Sequence, residues 1–77
     1  MVQLNGQNVA VWRTDSERYP RVFRGPLKRW FVDHDIPALY SPRYRGWTLR
    51  TERVADAIAH LEAEGFHVHV YERQAKL

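Results

Sequence analysis

A chain of 77 residues with a formal net charge of +3 has room for one small domain and one core, and little room for a deep pocket between lobes. It contains no cysteine, which excludes disulfides and thiolate metal sites, and no apolar run approaches the roughly 20 residues of a membrane-spanning helix. These features favour a binding module over an enzyme. Because the N-terminus also lacks the signal-peptide pattern, we expect a cytoplasmic protein.

The N-terminal segment predicts a β-hairpin over residues 2–13. An Asn-Gly pair in the middle of this segment is a favoured two-residue hairpin turn. In the second strand, Val9 and Val11 would face one side of the sheet, whereas Ala10 and Trp12 would face the other side together with Asn8. The polar segment TDSERYP that follows predicts a loop.

A short helix is expected at about residues 26–35. Its first turn contains a proline. Proline has no backbone N–H, and this is tolerated in the first turn because the N–H groups there have no acceptor within the helix. Leu27, Trp30, Phe31 and His34 fall at i, i+3, i+4 and i+7, on one helical face. The helix lies between two short strands, RVFRG and GWTLR, whose side chains alternate between opposite faces.

A longer amphipathic helix is predicted at about residues 52–64. Thr51 is a good N-cap residue, and Gly65 can end the helix in the left-handed conformation. The apolar stripe consists of Val54, Ala57, Ile58 and Leu61.

The last predicted element is a strand at about residues 66–72, followed by a frayed tail, QAKL. Phe66, Val68 and Val70 alternate with His67, His69 and Tyr71, so one strand face is apolar. Together the elements predict a single α+β domain over residues 1–77. It would contain a small, mainly antiparallel sheet of four to five short strands with two helices on one face.

Positive charge and aromatic rings are concentrated in the same part of the chain. Residues 18–50 contain eight basic and two acidic residues, whereas the remaining residues contain four basic and seven acidic ones. The same segment holds seven of the ten aromatic residues. This composition is typical of a surface for polyanions with exposed bases. The alternative is that the rings form the core and the arginines are scattered and solvated.

The resulting functional prediction is a nucleic-acid-binding surface without catalytic activity. Its candidate residues are Arg43, Tyr44, Arg45, Arg50, Arg21, Arg24, Lys28 and Arg29. The arginines would contact phosphates, which makes binding salt-dependent, and Tyr44 is the expected exposed ring for base stacking.

Candidate catalytic and metal-binding residues are few. His67 and His69 lie on the same side of one strand, and the possible third metal ligands, His34 and His60, fall on helices. Asp33 and Asp35 flank His34, but neither Ser16 nor Ser41 lies in a nucleophile motif. There is no Gly-rich phosphate loop, so we expect neither a cofactor nor a catalytic centre.

The order of motifs in residues 20–62 resembles the HARP domain, the DNA-binding accessory module of annealing helicases. The residues that carry the resemblance are Phe31, Ile36-Pro37, Tyr40-x-Pro42, Arg45, Trp47 and the helix with Val54, Ile58 and Leu61. The resemblance implies a module that recognises DNA structure such as forks or single-strand junctions, with remodelling supplied by a motor protein. It also implies that Ile36, Pro37, Tyr40 and Trp47 fix the turn against the core.

Two alternatives from other classes stay open. A short, motif-poor protein is also typical of a phage or mobile-element factor that binds and modulates a host protein. The basic-aromatic patch would then be a protein interface, because Arg, Trp and Tyr are the usual hot-spot residues. A homodimer built by pairing an exposed edge strand is the third possibility.

Overall fold

The structure is a computed structural model that describes residues 7–75 of the chain. Its elements are, in chain order, β1 (Asn8–Arg13), β2 (Arg21–Arg24), α1 (Lys28–Asp33), β3 (Leu39–Ser41), β4 (Gly46–Leu49), α2 (Thr51–Ala63) and β5 (His67–Gln74). Within the described residues, five strands form one sheet in the order β3-β4-β2-β1-β5. Neighbouring strands of this sheet are antiparallel except β1 and β5, which run parallel. The predicted α+β fold with a mainly antiparallel sheet is confirmed.

The hydrophobic core lies between one face of the sheet and both helices. Its buried residues are Val9 and Val11 from β1, Phe23 from β2, Leu49 from β4, Leu27, Trp30 and Phe31 at α1, Ala57 and Leu61 from α2, and Phe66. Complete burial of a Val, Leu or Phe side chain stabilises a fold by roughly 1.5–3 kcal/mol. This layer therefore holds both helices on the same face of the sheet, as predicted.

Helix α1 is shorter than the expected 26–35. Trp30 and Phe31 are buried, and His34 stacks on Trp30 with ring centroids 4.2 Å apart. The chain then leaves the helical path, because Asp35 has a left-handed backbone with φ of 54°. Ile36 donates its N–H to the Phe31 carbonyl oxygen at 3.0 Å, which returns the chain to the core before β3.

Helix α2 begins one residue earlier than predicted. The N-cap residue is Arg50, whose backbone is extended and whose side chain makes no capping hydrogen bond. The prediction that Thr51 is the N-cap is wrong, because Thr51 is already the first helical residue. Glu52 lies in the first turn, where the helix dipole favours a negative charge. Gly65 has φ of 89° and follows the helix in the left-handed conformation, as predicted.

The predictions for the two ends of the chain have different outcomes. The first strand and the turn of the predicted hairpin, residues 2–6, lie outside the described residues, and the second strand is β1. The expectation that the whole tail QAKL is frayed is wrong. Strand β5 includes Gln74, and Ala75 is buried and donates its N–H to the Arg13 carbonyl oxygen at 2.8 Å.

Neither of the two helices within residues 7–75 has the length and apolar composition of a membrane-spanning helix.

Candidate functional site

The candidate site lies on the face of the sheet opposite the two helices, which we call the open face. Strand alternation and register place on it Asn8, Ala10 and Trp12 of β1, Val22 and Arg24 of β2, Leu39 and Ser41 of β3, Gly46 and Thr48 of β4, and His67, His69 and Tyr71 of β5. A small second cluster of buried residues packs here, formed by Val22, Tyr44 and Ala75, with Trp12 against it. The open face is therefore partly covered and partly exposed.

Three side chains from adjacent strands form a row across this face. The rings of Trp12 and Tyr71 stack with centroids 4.1 Å apart and planes inclined by 12°. The guanidinium carbon of Arg24 lies 5.9 Å from the Trp12 ring centroid. Because β2, β1 and β5 are neighbours, the row combines a cation and two half-buried aromatic rings on one surface.

The turn between β3 and β4, residues 42–45, folds over the open face through Tyr44. This side chain is only 6 % exposed. Its hydroxyl donates a hydrogen bond to the Asp15 carboxylate and accepts one from the Asp15 N–H at 3.2 Å. The prediction that Tyr44 is an exposed stacking ring is wrong. The ring packs against Val22, and its hydroxyl is hydrogen-bonded to Asp15 in the loop that follows β1.

The same contact perturbs Asp15. The pKa of its carboxyl group is lowered, chiefly by the hydrogen bond from Tyr44 and also by the positive charge of Arg43, while partial desolvation opposes the shift. An ionised carboxylate accepts hydrogen bonds better than a protonated one, so the contact favours the charged form. Asp15 therefore ties the turn to the loop that follows β1 at neutral pH.

Three of the predicted arginines converge around this turn. Arg43 is 62 % exposed, lies 3.3 Å from the Asp15 carboxylate, and places its guanidinium carbon 5.4 Å from the Tyr44 ring centroid. Arg24 donates its Nε–H to the Tyr44 carbonyl oxygen at 2.9 Å. Arg45 is exposed, has φ of 56°, and makes no ion pair within the described residues. Arg24, Arg43 and Arg45 are called the turn arginines below.

The remaining predicted cations lie elsewhere. Arg21 is only 20 % exposed; it donates to the Tyr71 carbonyl oxygen at 2.9 Å and pairs with Glu72 at 3.1 Å. Arg50 precedes α2, with its Nε 3.7 Å from the Glu52 carboxylate. Lys28 and Arg29 belong to α1, which packs on the opposite side of the sheet. The seven predicted cations therefore do not form one continuous patch.

The residues expected to fix the turn against the core behave differently from one another. Trp47 is half-buried, and its ring lies 6.1 Å from that of Phe31. Ile36 also packs against the core. Tyr40, however, is 54 % exposed and contacts Trp47 edge-on at 5.2 Å. Pro37 is exposed as well. Ile36 and Trp47 therefore pack against the core directly, whereas Tyr40 reaches it only through its contact with Trp47.

The histidines divide between the two sides of the sheet. His67 and His69 lie on the open face, where His69 Nε2 is 3.2 Å from Asn8 Oδ1. His34 and His60 lie in the helical layer with ring centroids 5.9 Å apart. No group of three or more His, Cys, Asp or Glu side chains that could hold a metal ion occurs within residues 7–75.

His34 has both ring nitrogens occupied by neighbouring acceptors. Its Nδ1 lies 2.9 Å from the Trp30 carbonyl oxygen, and its Nε2 contacts the Glu64 carboxylate. A general base needs a nitrogen that faces the reacting proton, so this arrangement is a structural tie between the ends of α1 and α2. The two serines considered as nucleophiles both accept hydrogen bonds from nearby backbone N–H groups: Ser16 from Tyr19, and Ser41, the last residue of β3, from Tyr44.

Sequence reasoning missed Trp12, Tyr71 and Asp15 as site residues. Alternation did place Trp12 and Tyr71 on the more polar side of their strands, away from the core. The missing information was that β1 and β5, which are far apart in the chain, are neighbours in the sheet. The segment that contains Asp15 offered no signal beyond its loop composition.

Comparison with known proteins does not assign a family or a function to this chain. Neither family models, nor curated proteins, nor solved structures gave a match to this chain.

Proposed function

We propose that this protein is a nucleic-acid-binding module without enzymatic activity, with its binding surface on the open face around the turn arginines. The expected ligand is DNA rather than RNA, and the cytoplasm is the expected compartment. In this proposal Arg43 and Arg45 contact phosphates. Arg24 lies between the turn and the ring of Trp12, which stacks on Tyr71. No bound cofactor is part of the proposal.

The observation that supports the proposal best is the combination of cations and aromatic rings on one side of the molecule. Arg24 lies over the Trp12 ring and Arg43 lies over the Tyr44 ring. A guanidinium group held over an aromatic ring keeps its N–H donors in a defined orientation and can contact phosphate in a bidentate manner. Proteins that bind single strands commonly combine a positive surface with aromatic side chains on which bases stack.

A matched pair of charge reversals tests the proposal. Arg43→Glu with Arg45→Glu changes two cations of the turn, and Lys28→Glu with Arg29→Glu makes the same formal charge change on α1. The α1 variant should fold, because glutamate is favoured in the first turn of a helix. Binding to single-stranded, duplex and forked DNA and to RNA is measured by gel shift at two salt concentrations.

The turn variant should lose measurable binding at low salt, and the α1 variant should keep most of it. Each lost phosphate contact weakens binding by roughly tenfold near 50 mM salt, because fewer condensed counterions are released. Equal losses of affinity in the two variants would show that binding depends on the net charge of the protein and not on the residues of the open face. Unchanged affinity in the turn variant would contradict the proposal directly.

The resemblance to the HARP domain leads to the same ligand class and determines which DNA forms to offer first. If the resemblance extends to function, forked DNA and single-strand junctions should bind more tightly than blunt duplex. A motor protein would then have to supply any remodelling.

A second candidate function is binding to a host protein, as expected for a phage or mobile-element factor. An exposed apolar groove of about 470 Å³ in the helical layer supports it. Phe31, Ile36 and Trp47 line this groove, Val32 lies on it with 67 % exposure, and Tyr40 packs beside it against Trp47. Exposed apolar surface of this kind marks interaction sites on small proteins.

The two candidate functions use opposite sides of the molecule, so substitutions on one side should affect one function and leave the other unchanged. Val32→Asp should abolish capture of a protein partner after nuclease treatment and leave binding to DNA unchanged. Arg43→Glu with Arg45→Glu should have the reverse effect. A partner whose capture requires nucleic acid would count against this second function.

A further inference from the structure

The smallest side chain that β1 places on the open face is surrounded by four larger ones. Ala10 is half-buried, and its register partners are Arg24 on β2 and His69 on β5. Asn8 and Trp12 flank it along β1, each about 7 Å away, because a strand rises about 3.4 Å per residue. We call this position, with Ala10 as its floor and Asn8, Trp12, Arg24 and His69 around it, the Ala10 recess.

The four surrounding side chains are tied together in two pairs. Arg24 lies over the Trp12 ring on one side of the recess. His69 Nε2 lies 3.2 Å from Asn8 Oδ1 on the other side. Trp12 is further held by its stacking on Tyr71, and Arg24 by its hydrogen bond to the Tyr44 carbonyl oxygen. These contacts hold the larger side chains beside Ala10, where only a methyl group rises from the strand.

The chemistry around the recess matches the edges of a nucleobase. An amide, an imidazole and a guanidinium are the side-chain groups that hydrogen-bond to base edges, and an indole offers a π surface. We propose, building on the function proposed above, that the Ala10 recess receives one unpaired base of a single-stranded nucleic acid. Arg43 and Arg45 then hold the flanking phosphates.

Two features favour a single strand over a duplex as the ligand. A base in a duplex is paired and stacked, so it reaches a recess only when it is flipped out, which costs its pairing and stacking energy. Both helices of the described residues lie on the other side of the sheet, so the open face presents strands and no helix that could enter a major groove. A single strand offers its bases directly to such a surface.

Filling the recess tests this inference without removing a charge. Ala10→Leu places a larger apolar side chain on the floor, and a β-strand tolerates it. Ala59→Leu makes the same change on the exposed surface of α2 and is the matched control. Circular dichroism and thermal melting establish that both variants are folded. Affinity is measured by fluorescence anisotropy with labelled oligonucleotides of about 12 nucleotides, single-stranded and hairpin duplex, in DNA and RNA versions.

A second measurement uses the unmodified protein and therefore does not depend on the folding of a variant. The single-stranded oligonucleotide is compared with one of equal length whose central nucleotides are abasic. Both carry the same phosphates, so a contact to phosphate alone binds them equally. A base held in the recess should give about tenfold or more tighter binding to the intact strand, in line with the contribution of one stacked base.

The outcomes separate this inference from the proposed function. A loss of about tenfold or more in Ala10→Leu, with Ala59→Leu unchanged and the intact strand preferred over the abasic one, supports the recess. Equal binding of intact and abasic strands overturns the recess but leaves phosphate binding by the turn arginines standing. Equal or tighter binding of the duplex overturns the preference for single strands. Absence of binding to every oligonucleotide at low salt overturns both proposals.

Discussion

The salt dependence of binding distinguishes the turn arginines from the wider patch expected from sequence. The logarithm of the binding constant falls with the logarithm of salt concentration, with a slope of about −0.7 per phosphate contact on a single strand. Arg43 and Arg45 are the two proposed phosphate contacts, which gives a slope of about −1.4. All seven cations predicted from sequence would give about −5. Between about 50 and 200 mM salt the affinity should therefore fall about sevenfold, and not about 900-fold.

The assay is an anisotropy titration of a labelled single strand at four or five salt concentrations. Arg45→Gln should make the slope shallower by about 0.7, because one phosphate contact is lost. Lys28→Gln is the control and should leave the slope unchanged, since Lys28 lies on α1 behind the sheet. A wild-type slope near −5, or a shallower slope in Lys28→Gln, would refute the assignment of binding to the open face.

Two further predictions concern the turn that carries the arginines and the first residue of β4, which follows it. Tyr44→Phe should lower the melting temperature at neutral pH, and its difference from wild type should shrink on acidification. The reason is that the folded-state pKa of Asp15 lies below its ordinary value of 3.8, so its stabilising contribution is present above that value and is lost as the pH falls through the lower folded one. Melting curves between about pH 6 and pH 2 test this, and a pH-independent difference would contradict it. Gly46→Ala should destabilise the fold by about 1–3 kcal/mol, because an added Cβ would lie 2.7 Å from a backbone oxygen of β2. Thermal melting should show a loss of about 4–8 °C per kcal/mol for a domain of this size, and an unchanged melting temperature would show that the strands can separate locally.

The sequence predicted those features that depend on local periodicity. In β5, alternation assigned Val68 to the core side and His67 and His69 to the opposite side, and the structure agrees. The stripe of α2 and the terminating Gly65 were also readable, because helix spacing and left-handed backbone preferences act over only a few residues. These signals were sufficient for the fold class and for the side of the sheet on which the helices pack.

The burial of Tyr44 could not be predicted in the same way. The segment around it contains two prolines, a glycine and two neighbouring arginines, which is typical of an exposed turn. Its hydroxyl partner, Asp15, lies 29 residues earlier in the chain. A tyrosine is buried when its ring finds apolar neighbours and its hydroxyl finds a partner, and both conditions here depend on tertiary contacts.

The division of the predicted cationic patch has a simple physical cause. Residues 18–50 run through β2, the helix α1 and the β3–β4 hairpin, and α1 packs on the side of the sheet opposite the open face. Arg24 lies on the open face, and only four residues later Lys28 belongs to the helical layer. Within β2, strand alternation also separates Arg24 on the open face from Arg21 on the core side, so clustering along the chain does not by itself predict a continuous surface. The open face acquired its rings from the two ends of the described chain, because the parallel pairing of β1 with β5 places Trp12 against Tyr71.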